Sequence, residues 1–529
     1  MTLAGLADAV LADPTLAQAV ADAHDGAVPA LDLTGPEAVR PFVVTGLARA
    51  GRTVLAVTAT SREAEDLVEH LGSFLDPTTV AYYPSWETLP HERLSPRSDT
   101  VGRRLAVLRR LAHPGTDEAT GPLTVLVAPV RSLLQPQVKG LGDLEPVDLR
   151  PGDTAPLEDV VRRLADAAYS RVDLVEKRGE FAVRGGIVDV FPPTEEHPLR
   201  VEFWGDDVEE IRSFSVADQR THEQVDRLWA PPCRELLLTD EVRAKAKALG
   251  QRHPQLVEMT DKIAAGIATE GMEALAPVLV DEMELLVLPA DTHVLVLDPE
   301  RARRRAHDLV ATSEEFLGAS WAAAAGGGSA PIDLGAASYR TLADVREHAL
   351  GQGKAWWSVS PFGIDDAEDA AAPVDDGSDG VPTRALPMQM VDAYRGDVDR
   401  AFADLEKWRT AGYRAVVVHP GHGPAQRTVE ALGERDIPAR LVDGLDEQPA
   451  DDVVTVTCGS LGHGLLDDRN RLVVLTGEDL SGQRASTRDM RSMPARRKKQ
   501  IDPLELKAGD YVVHEQHGVG RFVEMKQRE

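Results

Sequence analysis

The sequence predicts a multidomain α/β protein, and three observations carry that prediction. Short, almost wholly apolar runs at Val54–Val57, Val125–Ala128 and His293–Leu297 have the composition of buried parallel strands, and the first two are followed by helix-like stretches. Between Glu180 and Trp204 the pattern changes to period-two alternation, the mark of half-buried strands. A further succession of helix, glycine stop, apolar strand and helix runs from about Asp397 to Gly477.

A chain of 529 residues, 43% of them hydrophobic, has room for roughly three or four packed domains. Gly51 to Leu71 reads as a strand and a helix, with Thr60 and Glu63 at capping-box spacing. Val125–Ala128 leads through Pro129 into a helix-like Arg131–Leu134. From Pro146 to Thr221 one amphipathic helix, Leu157–Ala168, precedes the strands Glu180–Phe191 and Leu199–Trp204, which reads as a small α+β insert. Ala322–Pro331 and Asp365–Pro382 hold too few large apolar residues to pack and read as loops or linkers. Helix Val398–Thr410, stopped at Gly412, and strand Tyr413–Val418 open what reads as an independent domain. The resulting division is 1–145 and 222–364 for one split α/β domain, 146–221 for its insert and 365–392 for a linker. A second α/β domain at 393–480, a basic linker at 481–506 and the start of another domain at 507–529 complete it.

Lys and Arg number 58 against 87 Asp and Glu, so the net charge of −29 repels phosphate backbones on average. The exception is the run Arg484, Arg488, Arg491, Arg496, Arg497, Lys498 and Lys499, read as a solvated linker, with DNA contact as the alternative. Cys233 and Cys458 fit no metal spacing and read as inert thiols of a reducing compartment. The first residues lack the basic start and apolar run of a signal peptide, and no stretch has the length of a membrane span. The expected setting is cytoplasmic, with no membrane partner.

Three motifs bear on chemistry. Gly46-Leu-Ala-Arg-Ala-Gly51-Arg52-Thr53 has the spacing of a phosphate-binding loop, with Arg52 where that loop needs a lysine and Phe42–Val44 as the candidate strand before it. It reads as a degenerate nucleotide loop. Leu297-Asp298-Pro299-Glu300 is the nearest match to a magnesium-holding acidic pair, yet Pro299 makes a capped helix start the simpler role. In Leu199–Trp204, alternation sends Leu199, Val201 and Phe203 to one face and Arg200, Glu202 and Trp204 to the other, where Arg184 of the preceding strand can join them. That second face is either a protein-binding surface or a tryptophan covered by its own domain. His419, His422, His463, His514 and His517 lack a matching ligand set and are not read as a metal site. No catalytic residue and no cofactor are assigned to the chain.

Tyr83-Pro-Ser-Trp86-Glu-Thr-Leu-Pro90 with Ser98-Asp99, the run Gly179 to Pro192, and Asp218-Gln-Arg-Thr221 resemble the module that transcription-repair coupling factors (Mfd) share with the excision-repair protein UvrB. Gly509 to Phe522 is similar to the opening of that family's RNA-polymerase-interacting domain, itself CarD-like. The resemblance implies a UvrB-like helicase-type α/β domain with a degenerate ATP loop, a UvrA-binding surface at Arg184, Arg200 and Trp204, and contact with the polymerase β subunit. Asp99 leads within a short helix to Val125, leaving no room for the hairpin with which UvrB grips damaged DNA. A full-length family member continues into an ATP- and magnesium-dependent translocase on double-stranded DNA and restrains it by covering the UvrA-binding face with a C-terminal domain. The motifs of that motor are not found here, so the chain is expected to be a docking portion and not an enzyme, with that face free. Gly509–Glu529 is too short for a five-stranded barrel, so its edge is expected to be unpaired. A self-contained ATPase and a nonspecific DNA-binding protein are the rival readings.

Overall fold

The computed structural model describes residues 2–89, 94–115, 121–325, 338–361, 380–482, 511–514 and 518–521, with the side chains of 316–325 and of the last two stretches left out. Seven parallel strands form the first sheet, in the order Thr383–Ala385, Ala30–Thr34, Ala355–Ser360, Thr292–Leu297, Thr53–Thr58, Val125–Pro129 and Val80–Tyr82. The three apolar runs are its adjacent central strands. Helices cover both faces, as a sheet buried on two sides requires. Thr60 and Glu63 close the capping box at the start of helix Ser61–Leu71, satisfying two of its free N–H groups.

The insert is a six-stranded sheet in the order Thr221–Gln224, Asp207–Phe214, Leu199–Trp204, Ile187–Val190, Glu180–Arg184 and Ser170–Arg171. Its pairs are antiparallel except the last. Helix Leu157–Asp166 packs Val160 and Leu164 onto one face of it. A third sheet runs Met388–Met390, Leu465–Asp467, Leu472–Thr476, Arg414–His419, Val454–Cys458 and Ala439–Val442, parallel among its last four strands. Helices Asp240–Arg252 and Val257–Ala264 build a small separate core around Ala246, Leu249 and Ile263.

The structure corrects four expectations. Phe42–Val44 is helical, inside Arg40–Arg49, because Pro41 suits a first turn and the apolar side chains bury against the N-terminal helices and the first sheet. Ala322–Ala325 ends the long helix Pro299–Ala325 instead of opening a loop, as alanine's helix propensity favours; the rest of that segment lies outside the described residues. In the described part of the 365–392 linker, Thr383–Ala385 joins the first sheet and Met388–Met390 the third, with Leu386 and Met388 buried between them.

The unit expected to be independent shares a continuous core with the first. Leu3, Leu6 and Val10 of the N-terminal segment pack in one cluster with Leu297 and Trp357 of the first sheet and Val416 and Val474 of the third. Backbone N–H groups join the N-terminal segment to the third-sheet unit, Gly5 to Leu445 O at 2.6 Å and Leu445 to Thr2 O at 2.8 Å. A Cβ at residue 5 would lie 1.9 Å from Glu447 O, so only glycine allows this approach. The C-terminal motif contributes the antiparallel pair Tyr511–His514 and Gly518–Arg521, while the basic run 484–499 lies outside the described residues.

Candidate partner-binding face

Two tight hairpins bring the face together. Arg184 and Ile187 flank the turn Gly185-Gly186, and Trp204 and Asp207 flank Gly205-Asp206. Gly205 stands at φ 64°, the left-handed value that a two-residue hairpin places at its first central position. Alternate strands run the same way, so both turns lie at one end of the sheet and Arg184 and Trp204 share it. Val188, Val190, Val201 and Phe203 fill the core side. On the other side, Ala182, Asp189, Arg200 and Arg212 lie opposite one another across four strands.

Arg200 donates from Nε to Asp189 Oδ1 at 2.7 Å and from Nη2 to Oδ2 at 2.9 Å, a bidentate pair. Arg184 Nη2 donates to the same Oδ2 at 3.2 Å. The Asp189 side chain is 2% exposed, that of Arg200 18% and that of Arg184 53%. The Arg200 guanidinium also lies 4.7 Å from the centre of the Phe214 ring. Its hydrogen bonds to Asp189 hold Arg200 above the ordinary arginine range. Trp204 is 80% exposed, the most open of the large apolar side chains among the described residues. Within this chain, its own domain leaves the ring uncovered. Of the three residues expected here, Arg184 and Trp204 are open to a partner, whereas Arg200 is mostly enclosed.

Asp189 escaped the sequence reading. Its signal was a lone carboxylate in the apolar run Ile187-Val-Asp-Val-Phe191, in register with a later arginine.

Gly46, Gly51, Arg52 and Thr53 do not form a phosphate cradle. They lie where helix Arg40–Arg49 ends and strand Thr53–Thr58 begins, at the amino edge of the sheet, whereas a phosphate loop joins a strand's carboxyl end to a helix start. A Cβ on Gly46 would lie 2.7 Å from Leu11, and Gly51 serves the turn after the helix. Arg52 donates to the carbonyls of Ala23 and His24 at 2.7 and 2.8 Å, closing the end of helix Pro14–Asp25, and Thr53 reaches Asp291 at 3.2 Å. At the carboxyl edge the ends of the first and third sheets face a cleft of about 1360 Å³. Ion pairs lie within its first-sheet wall: Arg40 with Glu37 at 3.3 Å and with Asp298 at 3.6 Å, and Arg301 with Glu63 at 2.6 Å. Asp298 accepts from the N–H of Arg301 at 3.3 Å, the helix-start role expected of it.

His419 donates or accepts at Thr428 Oγ1 over 2.8 Å, and burial pushes its imidazole down to about 4. No group of three or more metal-ligating side chains is found among the described residues. Nor, among them, is any helix long and apolar enough to cross a membrane.

Fold and face together define a multidomain α/β protein that carries a largely antiparallel six-stranded sheet with one exposed tryptophan. Residues 147–236 match the family described as UvrB interaction domain, and residues 506–529 match the CarD-like/TRCF RID domain. The chain is homologous over essentially its whole length to the N-terminal part of transcription-repair-coupling factors. It is 46% identical to the transcription-repair-coupling factor of Mycobacterium bovis, over 99% of this chain and 43% of the relative. The proteins of that name from Myxococcus xanthus and Escherichia coli are 28% and 26% identical, each over 93% of this chain and 42% of the relative. The chain thus spans less than half the length of these relatives.

Proposed function

We propose that this chain is a docking portion of a transcription-repair coupling factor, binding UvrA through Arg184, Arg200 and Trp204 on the open side of its antiparallel sheet. The observation that carries the reading is the exposed Trp204 and the half-exposed Arg184 at the same end of one sheet whose other side is packed. A rigid aromatic ring with a neighbouring guanidinium is the composition of an interface hot spot. The match at residues 506–529 supports a second contact, with the β subunit of RNA polymerase. Together the two contacts bring excision repair to a stalled polymerase, in the cytoplasm. ATP, magnesium and double-stranded DNA belong, on this reading, to the translocase motor of a full-length coupling factor.

The test is a pull-down with purified UvrA. A double variant, Arg184→Ala with Trp204→Ala, is expected to lose capture while losing no more than about 1.5 kcal/mol of folding stability. Capture at the wild-type level would sink the assignment.

A further inference from the structure

We infer that Asp189 is a positioning residue for this face, fixing the guanidiniums of Arg184 and Arg200 before a partner arrives. The inference rests on the proposed UvrA-binding role of the face and adds a residue that neither the family match nor the alternation of the strand assigns.

Asp189 lies on strand Ile187–Val190, with Ala182 opposite it on one side and Arg200 on the other. Its buried carboxylate accepts three hydrogen bonds, two from Arg200 and one from Arg184, with Oδ2 shared between the arginines. Two long cationic side chains on the strands that flank Ile187–Val190 would otherwise repel each other and sample many rotamers. The shared carboxylate removes both effects. Arg200 is further fixed by its stem and by the Phe214 ring at 4.7 Å, and its enclosure leaves little of it for a partner. Arg184 is tethered by one Nη2 and is the cation available at the surface. Asp189 therefore acts on the interface through the arginines, reducing the ordering left for binding, which is where preorganised surfaces gain affinity.

The charge arithmetic gives the inference an opponent. Two guanidiniums and one carboxylate leave a single positive charge, and Asp189→Asn doubles it. If Asp189 only trimmed the charge, Asn would change binding chiefly through the on-rate and its salt dependence. Asp189→Glu keeps the charge and displaces the carboxylate by one methylene, so it separates position from charge.

The experiment measures association and dissociation rates of the full chain on immobilised UvrA at low and physiological salt, for the wild type, Asp189→Asn, Asp189→Glu and Trp204→Ala. Partial misfolding lowers the active concentration, and with it the apparent association rate, but leaves the dissociation rate unchanged, so the dissociation rate reports on positioning. Expected are roughly tenfold weaker binding for both Asp189 variants and, for Asp189→Glu, an unchanged salt dependence. Wild-type rates for Asp189→Glu, or unchanged or tighter binding by Asp189→Asn, would overturn the inference. Should Asp189→Asn not fold, Asp189→Glu alone decides. Loss of binding in Trp204→Ala with wild-type rates in both Asp189 variants refutes the positioning role only. Undiminished binding by Trp204→Ala refutes the reading of the face itself.

Discussion

Two arginine–carboxylate networks in this chain use the same chemistry at opposite extremes of burial. Arg104 Nε meets Glu235 at 2.5 Å with the two side chains 0% and 1% exposed. Trp86 Nε1 donates to the same carboxylate at 3.0 Å, Arg104 donates to Pro84 O at 2.9 Å, and the Tyr83 ring centre lies 4.4 Å from the guanidinium. This network closes the junction between the first α/β domain and the end of the interaction module, and burial there pushes the Tyr83 phenol above its ordinary range. In the second network Asp189 is equally buried, yet one of its arginines is half open. Where both partners are sealed the pair is a weld, and where one partner reaches water the pair becomes a surface that another protein can read. The Tyr83-Pro-Ser-Trp86 motif is thus explained as architecture, and the face at Arg184 and Trp204 as an open surface.

That contrast can be broken by mutation. Glu235→Ala leaves Arg104 buried without its counter-ion and is expected to cost about 3–5 kcal/mol in denaturant unfolding, the largest effect here. A loss below about 1 kcal/mol would mean that the junction is wet and not a weld.

The rule that burial decides extends to His293, which lies against Trp357 at 4.4 Å with its Nε2 unpaired and burial pushing its imidazole down to about 3. Unfolded, it takes up a proton as pH falls through about 6.5; folded, it does not until about 3, so stability falls as pH drops through that window. The expected contribution is about 2 kcal/mol between pH 7 and pH 5. His293→Phe should flatten the stability curve by that amount, and parallel curves would show that the site admits water.

Trp204→Ala sharpens the other side of the comparison. Folding stability should change by less than about 0.5 kcal/mol, because the ring contributes little to the core. UvrA affinity should fall by about 2 kcal/mol, roughly thirtyfold, in a titration. The smallest effect belongs to Arg184→Ala, for which thermal melting should register a loss of only about 0.2–1 kcal/mol. A cost equal to that of Glu235→Ala would erase the distinction between the two networks.

Much of this was legible in the sequence because its causes are local. Alternation over Leu199–Trp204 placed Arg200 and Trp204 on the open side, and Thr60 with Glu63 marked a helix start. Phe42–Val44 misled because a short apolar run fits a strand or a fully buried helix equally well, and only the N-terminal helices that pack on it decide. Thr383–Ala385 was missed because its partner, Ala30–Thr34, lies some 350 residues earlier in the chain. Asp189 was hidden for another reason: its partners lie close in sequence, but they meet it only in a register that two hairpins create.

The contact between the first residues and Leu445 has a consequence during synthesis. Leu3, Leu6 and Val10 leave the ribosome early, whereas the strands and loops that complete their cluster, with Val416, Leu445 and Val474, follow on the order of 410 to 470 residues later. At about 5–20 residues per second, the nascent chain carries this unfinished apolar surface for roughly 20 to 90 s. Over that interval the chain presents an apolar surface before the mate for it exists, which makes its own translation the period of greatest exposure to chaperones and to aggregation.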